Sequence, residues 1–291
     1  MYINKIFISV SLFFLLNAST LIAQVSFQWA KSNQGSLADE ATAVGLDASG
    51  NVYYAGNFEG VFDLDPGTGT STVTSAGLKD NFIIKLDPSG NFVWGKVFSG
   101  TNNSYITDIA TDAANNIIIV GNLLGSADFD PSPASFVLTA PGSSNCGFVC
   151  KLDINGNYVW AKAYTSTTNA SASSVEIDVA SNVYVGGNFF GTIDLDPSAS
   201  TLLITTSTTN SNGFISRLDA SGTYLNHYTI GNTSSNESVR DLKFDGSSNS
   251  IFATSYVESL VSGTGTYAGA ADVFFEKLTL NLTAVWNKQF G

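Results

Sequence analysis

Leu46-Asp47-Ala48-Ser49-Gly50-Asn51-Val52-Tyr53-Tyr54-Ala55-Gly56-Asn57-Phe58 decides the fold, because the chain repeats it. The stretch returns as Thr111-Asp112 through Gly121-Asn122-Leu123, and again as Ile177-Asp178 through Gly187-Asn188-Phe189. Its anchoring aspartate recurs at 47, 112, 178 and 245, giving intervals of 65, 66 and 67. A second block runs from Asn81 to Lys96 and contains Lys85-Leu86-Asp87 and Trp94. It returns as Gly147 to Lys162, more weakly as Gly213 to His227, and as Val273 to Lys288. Self-similarity at a fixed period of tens of residues marks a repeat architecture, in which each copy is one supersecondary unit.

Each copy holds four short β-type runs, which in the first are Thr42–Asp47, Asn51–Phe58, Asn81–Asp87 and Asn91–Phe98. Asp-x-Ser-Gly-Asn turns close the first and last pairs, glycine supplying positive φ and the aspartate capping the turn through its side chain. The runs are apolar on both faces, as in Ile117-Ile118-Ile119-Val120, whereas a two-layer sandwich with a wet outer face would alternate. Four-stranded antiparallel sheets buried on both sides and repeated about every 66 residues describe the blades of an all-β propeller. A parallel β-helix would use far shorter coils. The spacing predicts blades at approximately 32–98, 99–164, 165–230 and 231–291, together filling a propeller over 24–291.

At these residues the chain resembles the secreted bacterial β-propeller repeat proteins, or SBBP-type repeats. Their pattern D-x-x-G-N-V-Y-x-x-G-x-F, followed by K-L-D-x-x-G-N-x-x-W, is matched in copies one to three. The resemblance implies a propeller, export and often cell-surface display, and no particular activity, since such folds host many functions. Copy four departs from the pattern, with Asp245-Gly-Ser-Ser-Asn-Ser250 at the turn and a shortened block after Tyr256.

Both chain ends carry further expectations. Met1 to Ala23 has a short positive region at Lys5, an apolar run from Ile6 to Leu16 and small residues before Gln24. That is the layout of a signal peptide over 1–23, too short in its apolar run for a comfortable membrane span. The expected address is secreted or cell-surface, with no membrane insertion after cleavage. The Trp-containing fourth run also stands alone at Phe27-Gln28-Trp29-Ala30-Lys31, an extra N-terminal strand over 27–31. Five fourth-type runs against four sets of the other three suggest an incomplete ring in a longer repeat array; the alternative is a closed four-blade ring with one extra outer strand. Cys146 and Cys150 lie on one run, roughly 13 Å apart at ~3.3 Å per residue. A disulfide needs Cα atoms within about 7 Å, so both read as core residues.

Lys and Arg number 12 against 24 Asp and Glu, a net charge of −12, with one His. So few cations argue against nucleic acid, whose phosphates need clustered Lys and Arg. One histidine cannot build a multi-histidine metal site. The sharpest polar motif is Asp-x-Asp-Pro, at Asp63/Asp65, Asp128/Asp130 and Asp194/Asp196. Each pair could start a Ca²⁺ site, although that ion wants about 6–8 oxygens. The competing and leading reading makes the first Asp a strand end and the second the cap of a Pro-set turn.

Function should lie in polar residues that do not repeat, on loops at one face. Those are Asp39, Glu40, Glu59, Asp108, Glu176, Glu237, Arg240, Asp241 and Glu258. Asp39/Glu40 or Glu237/Asp241 could supply a glycosidase pair, whose carboxylates stand roughly 5–10 Å apart. Nothing singles out either pair. The aligned Asp108 and Asp241 read as strand-entry residues, and His227 as a solvent-facing strand residue. No nucleophile elbow, P-loop, dinucleotide fingerprint or zinc signature occurs. The expectation is a non-enzymatic module with a protein or polysaccharide ligand, no cofactor other than possible Ca²⁺, and no nucleic-acid partner. The alternatives are an extracellular carbohydrate-active enzyme, glycosidase or lyase, with its acids in the central channel, and a structural segment of a larger adhesin.

Overall fold

The computed structural model describes residues 27–198, 200–258 and 272–290. Residues 1–23, expected to be a signal peptide, lie outside these, as does much of the shortened block of copy four. Blade 1 contains β1 (Asp39–Leu46), β2 (Val52–Phe58), β3 (Val61–Asp63), β4 (Thr72–Thr74), β5 (Asp80–Leu86) and β6 (Phe92–Phe98). Blade 2 contains β7 (Ser104–Thr111), β8 (Ile117–Leu123), β9 (Ser126–Asp128), β10 (Val137–Thr139), β11 (Cys146–Leu152) and β12 (Tyr158–Tyr164). Blade 3 contains β13 (Asn169–Ile177), β14 (Val183–Phe190), β15 (Thr192–Asp194), β16 (Leu203–Thr205), β17 (Asn212–Leu218) and β18 (Tyr224–Ile230). Blade 4 contains β19 (Glu237–Asp245), β20 (Ser250–Val257), β21 (Asp272–Thr279) and β22 (Ala284–Phe290). Every blade is a four-stranded antiparallel sheet, ordered β1-β2-β5-β6 in the first and equivalently in the others.

Two local rules make the blade. The first is the inner turn, where Asp47 Oδ1 accepts the backbone N–H groups of Ser49 and Asn51, both at 2.9 Å. Asp112 and Asp178 repeat this bracket. The left-handed position within it is Gly50, Asn115, Ser181 or Asn249, residue types that tolerate positive φ in turns. The second is a β-bulge in each inner strand, falling at Thr42, Thr107, Ser173 and Arg240. Opposite the bulge stand Gly56, Gly121 and Gly187. A Cβ on any of them would meet the carbonyl of Glu40, Tyr105 or Ser171 at 1.9 Å. In blades 1 to 3 the glycine of the repeated Gly-Asn pair makes room for the bulge, whereas blade 4 holds Ser255 at the same register.

Two features differ from the sequence expectation. Between the second and third strands of blades 1 to 3 lies a small hairpin, β3–β4, β9–β10 or β15–β16, that strand patterning missed because each arm has three residues. Residues 27–34 form no strand, so the extra strand expected at 27–31 is absent. Trp29 instead lies across the outer turn of blade 1 and donates its indole N–H to the Pro88 carbonyl at 3.3 Å.

The cores lie between blades. One cluster joins Tyr53, Ile83 and Phe98 of blade 1 to Ile106, Ile109 and Ile119 of blade 2. A second joins Val120, Val149 and Tyr164 to Val175, Val185 and Phe214. A third joins Tyr184, Ile215 and Ile230 to Val239, Leu242 and Phe274. The blades are thus bound face to face by buried apolar surface, worth ~25 cal/mol per Å² removed from water. Inner strands β1, β7, β13 and β19 stand side by side in that order. Among the described residues no comparable packing returns from β19 to β1, so the four blades form an open arc.

Candidate functional site

The C-terminal halves of the four inner strands together line a cavity of about 550 Å³. Successive strands place successive repeats of one register position around it, so its chemistry is read across blades. At the residue following the bulge stand Ala43, Asp108, Ser174 and Asp241. Asp108 Oδ2 accepts the Ser174 hydroxyl at 2.9 Å and the Val175 N–H at 2.8 Å, while its Oδ1 accepts the Ile109 N–H at 2.8 Å. Asp241 Oδ1 accepts the Leu242 N–H at 2.9 Å and shares the Ser174 hydroxyl at 3.2 Å. Ser174 thereby ties blades 2, 3 and 4 together. Burial pushes the Asp108 carboxyl up from its ordinary range, its hydrogen bonds oppose the shift, and the charge of Asp241 adds to it.

Deeper along β13, Glu176 pairs with the ammonium of Lys243 on β19, whose side chain is otherwise exposed. Burial raises the Glu176 carboxyl while Lys243 draws it down. The strand-entry role read for Asp108 and Asp241 becomes a channel-lining one, because the bulge turns both carboxylates toward the neighbouring inner strands.

The other candidate acids do not converge. Asp39 and Glu40 are consecutive on β1, so their side chains leave opposite faces of the sheet. Glu237 is buried at the start of β19, where Oε1 accepts the Ser235 hydroxyl at 2.6 Å and Oε2 the Asn232 N–H at 3.4 Å. It brackets the preceding loop, while Asp241 lies in the cavity. Glu258 accepts the Asn236 amide at 2.7 Å and the Tyr256 hydroxyl, with Arg240 over the Tyr256 ring at 5.7 Å. Glu59 lies between β2 and β3. His227 is half-buried on β18 rather than solvent-facing; Nδ1 pairs with the Tyr224 hydroxyl at 2.7 Å, and burial lowers its pKa. Cys146 and Cys150 are free and buried, and burial raises both thiols, the first to about 11.

The Asp-x-Asp-Pro motifs span the small hairpins. Asp63 Oδ1 accepts the N–H groups of Asp65 and Ser71, at 3.0 and 2.8 Å, and Asp65 Oδ1 that of Gly67 at 2.7 Å. Asp128 does the same for Asp130 and Phe136, and Asp194 for Asp196 and Leu202. Asp130 and Asp196 accept from Ser132 and Ser198. The intervening Leu64, Phe129 and Leu195 point inward and are buried. Each pair spends one oxygen per carboxylate on its own turn, and among the described residues no group of three or more acids, histidines or cysteines is placed to hold a metal ion.

Sequence reading also missed the ion pair behind the inner turn. Lys85, Lys151 and Arg217, first residues of the repeated Lys-Leu-Asp block, reach Asp47, Asp112 and Asp178 at 3.7, 3.0 and 3.9 Å. The signal was present: one cation and one anion recur together in three copies.

Repeated four-stranded blades around a lined cavity define a β-propeller repeat protein. No family model matches the chain. Over 175 residues it is 25% identical to an uncharacterized WD repeat-containing protein, L264, of Acanthamoeba polyphaga mimivirus. The match covers 53% of this chain and 13% of that relative, so the chain corresponds to a small part of the relative's length.

Proposed function

We propose that this protein is a secreted or cell-surface propeller of bacterial type that binds a protein or polysaccharide without transforming it. The observation that carries the reading is the state of the channel acids. Asp108 is committed to two backbone N–H groups and a hydroxyl, Asp241 to a backbone N–H and the same hydroxyl, and Glu176 to Lys243. A general acid and base must be free to exchange protons with a substrate between them. These groups instead shape a mouth that offers fixed acceptors and one exposed ammonium. Export is supported by the composition of residues 1–23 and by the likeness of the repeats to secreted propellers.

Glycan-array and protein-array binding, run beside an assay for release of reducing ends, tests the reading. The expected result is binding that Lys243→Glu weakens, with no sugar release. Sugar release that disappears in Asp241→Asn or Glu176→Gln would overturn it in favour of a carbohydrate-active enzyme.

A further inference from the structure

Each junction between consecutive blades uses one clasp. Trp94 of blade 1 lies against Gly156 in the outer turn of blade 2 and donates to the Ile154 carbonyl at 3.3 Å, which Lys85 also reaches at 3.4 Å. Trp160 and Lys151 of blade 2 repeat this at Gly222 and the Ala220 carbonyl of blade 3, at 3.2 and 3.3 Å. At the third junction Asn226 and Arg217 donate to Asn281, both at 2.7 Å, and Leu282 takes the glycine's place. The side chain reaching over each junction is thus matched in size to the turn residue that receives it. Tryptophan goes with glycine, and asparagine with leucine.

Blade 4 carries Trp286 and Lys277 at the clasp positions, and among the described residues no turn lies beneath them. Phe252, Phe275 and Trp286 pack into an aromatic face. Phe290, 56% exposed, holds the register at which Phe98, Tyr164 and Ile230 are 0 to 1% exposed under the following blade. Blade 1 presents the matching half. Val44 is 68% exposed where Ile109, Val175 and Leu242 are at 5, 2 and 2%. Its outer turn has the glycine a tryptophan requires, Gly90, now covered by Trp29 from a segment without strand pairing.

The geometry points to head-to-tail association with a second copy of this chain: blade 4 of one copy seats on blade 1 of the next, and Trp286 displaces Trp29 from Gly90. The contact continues the three junctions within the chain. Pairing of two blade 4 faces would set Trp286 against the aromatic face of its twin and not on a glycine turn such as Gly90, so the direction is set. Two copies that engage at both ends close without a free face, as heterologous interfaces do when their rotation permits.

Light scattering on the purified chain across a concentration series tests this, with far-UV circular dichroism showing that each variant is folded. The expected result is a concentration-dependent oligomer. Trp286→Ala and Phe290→Asp, both on an exposed face, return it to monomer, while Trp29→Ala, by removing the competitor, strengthens association by about tenfold. A monomer at every concentration, an oligomer indifferent to Trp286→Ala and Phe290→Asp, or a Trp29→Ala variant that fails to associate more tightly would each overturn the inference.

Discussion

Replacing Asp112 with alanine should unfold the propeller far more readily than the same change one hairpin away at Asp153. Asp112 is buried and accepts from the N–H groups of Ala114 and Asn116, the Asn116 amide and the Lys151 ammonium at 3.0 Å. Asp153 holds the equivalent outer turn through Asn155 and Asn157 but is more open to solvent than Asp112 and, among the described residues, makes no ion pair. Deleting one partner of a buried pair leaves an uncompensated charge and costs about 3–5 kcal/mol. Losing the solvated turn acceptor costs about 1–2 kcal/mol. Lys151 would keep the Ala220 carbonyl, which lacks the charge to replace Asp112.

Urea unfolding followed by circular dichroism reads the difference from the midpoint and slope. Adding Lys151→Met to Asp112→Ala should recover roughly 2 kcal/mol, because no buried ammonium then remains unpaired. Burial works to raise the Asp112 carboxyl, but the Asn116 amide and Lys151 outweigh it and hold the pKa below the usual range. The contribution is therefore present above the unfolded value near ~3.9 and is lost as pH falls through the lower folded value. Equal losses for Asp112→Ala and Asp153→Ala, or no recovery with Lys151→Met, would refute the reasoning.

Gly121→Ala should destabilise by about 1–3 kcal/mol, since the new methyl meets the Tyr105 carbonyl and the Phe148 ring unless the bulge relaxes; an unchanged urea midpoint would show that it relaxes freely. Glu276→Gln should stabilise the protein by ~2–3 kcal/mol at pH 8 and remove a slope between about pH 4.5 and 7. The Glu276 carboxyl is fully buried and pushed by that burial up to about 7, with the Tyr228 hydroxyl opposing. The folded protein retains a proton that the unfolded chain releases, so its contribution is complete below the unfolded value and declines as pH rises through the folded one. Identical pH profiles for the two proteins would count against it.

The blade was legible because its determinants are local. Asp47 to Asn51 closes a turn within five residues, and Gly56 reports the bulge opposite it once the copies are aligned. The channel was not legible in that way. Asp108 and Asp241 align, yet the group that joins them is Ser174 from a third copy, and neither spacing nor composition brings three strands from separate blades to one hydroxyl. The small hairpins were hidden for another reason. With three residues per arm, β3 and β4 are too short to show a period, and the backbone N–H groups that the Asp-x-Asp-Pro pair accepts lie up to eight residues away, where no sequence spacing marks them.

The exchange of Trp–Gly for Asn–Leu at the last junction has a consequence for how the chain reaches its native order. An array of near-identical units can dock out of sequence during folding, and misassembly between like repeats is a characteristic failure of such proteins. Gly156 and Gly222 would accept either Trp94 or Trp160, so nothing at those turns tells blade 2 from blade 3. Blade 4 carries Leu282 in that place, opposite Asn226 of blade 3, so its receiving turn is matched to blade 3 and this one difference helps order the array from its C-terminal side.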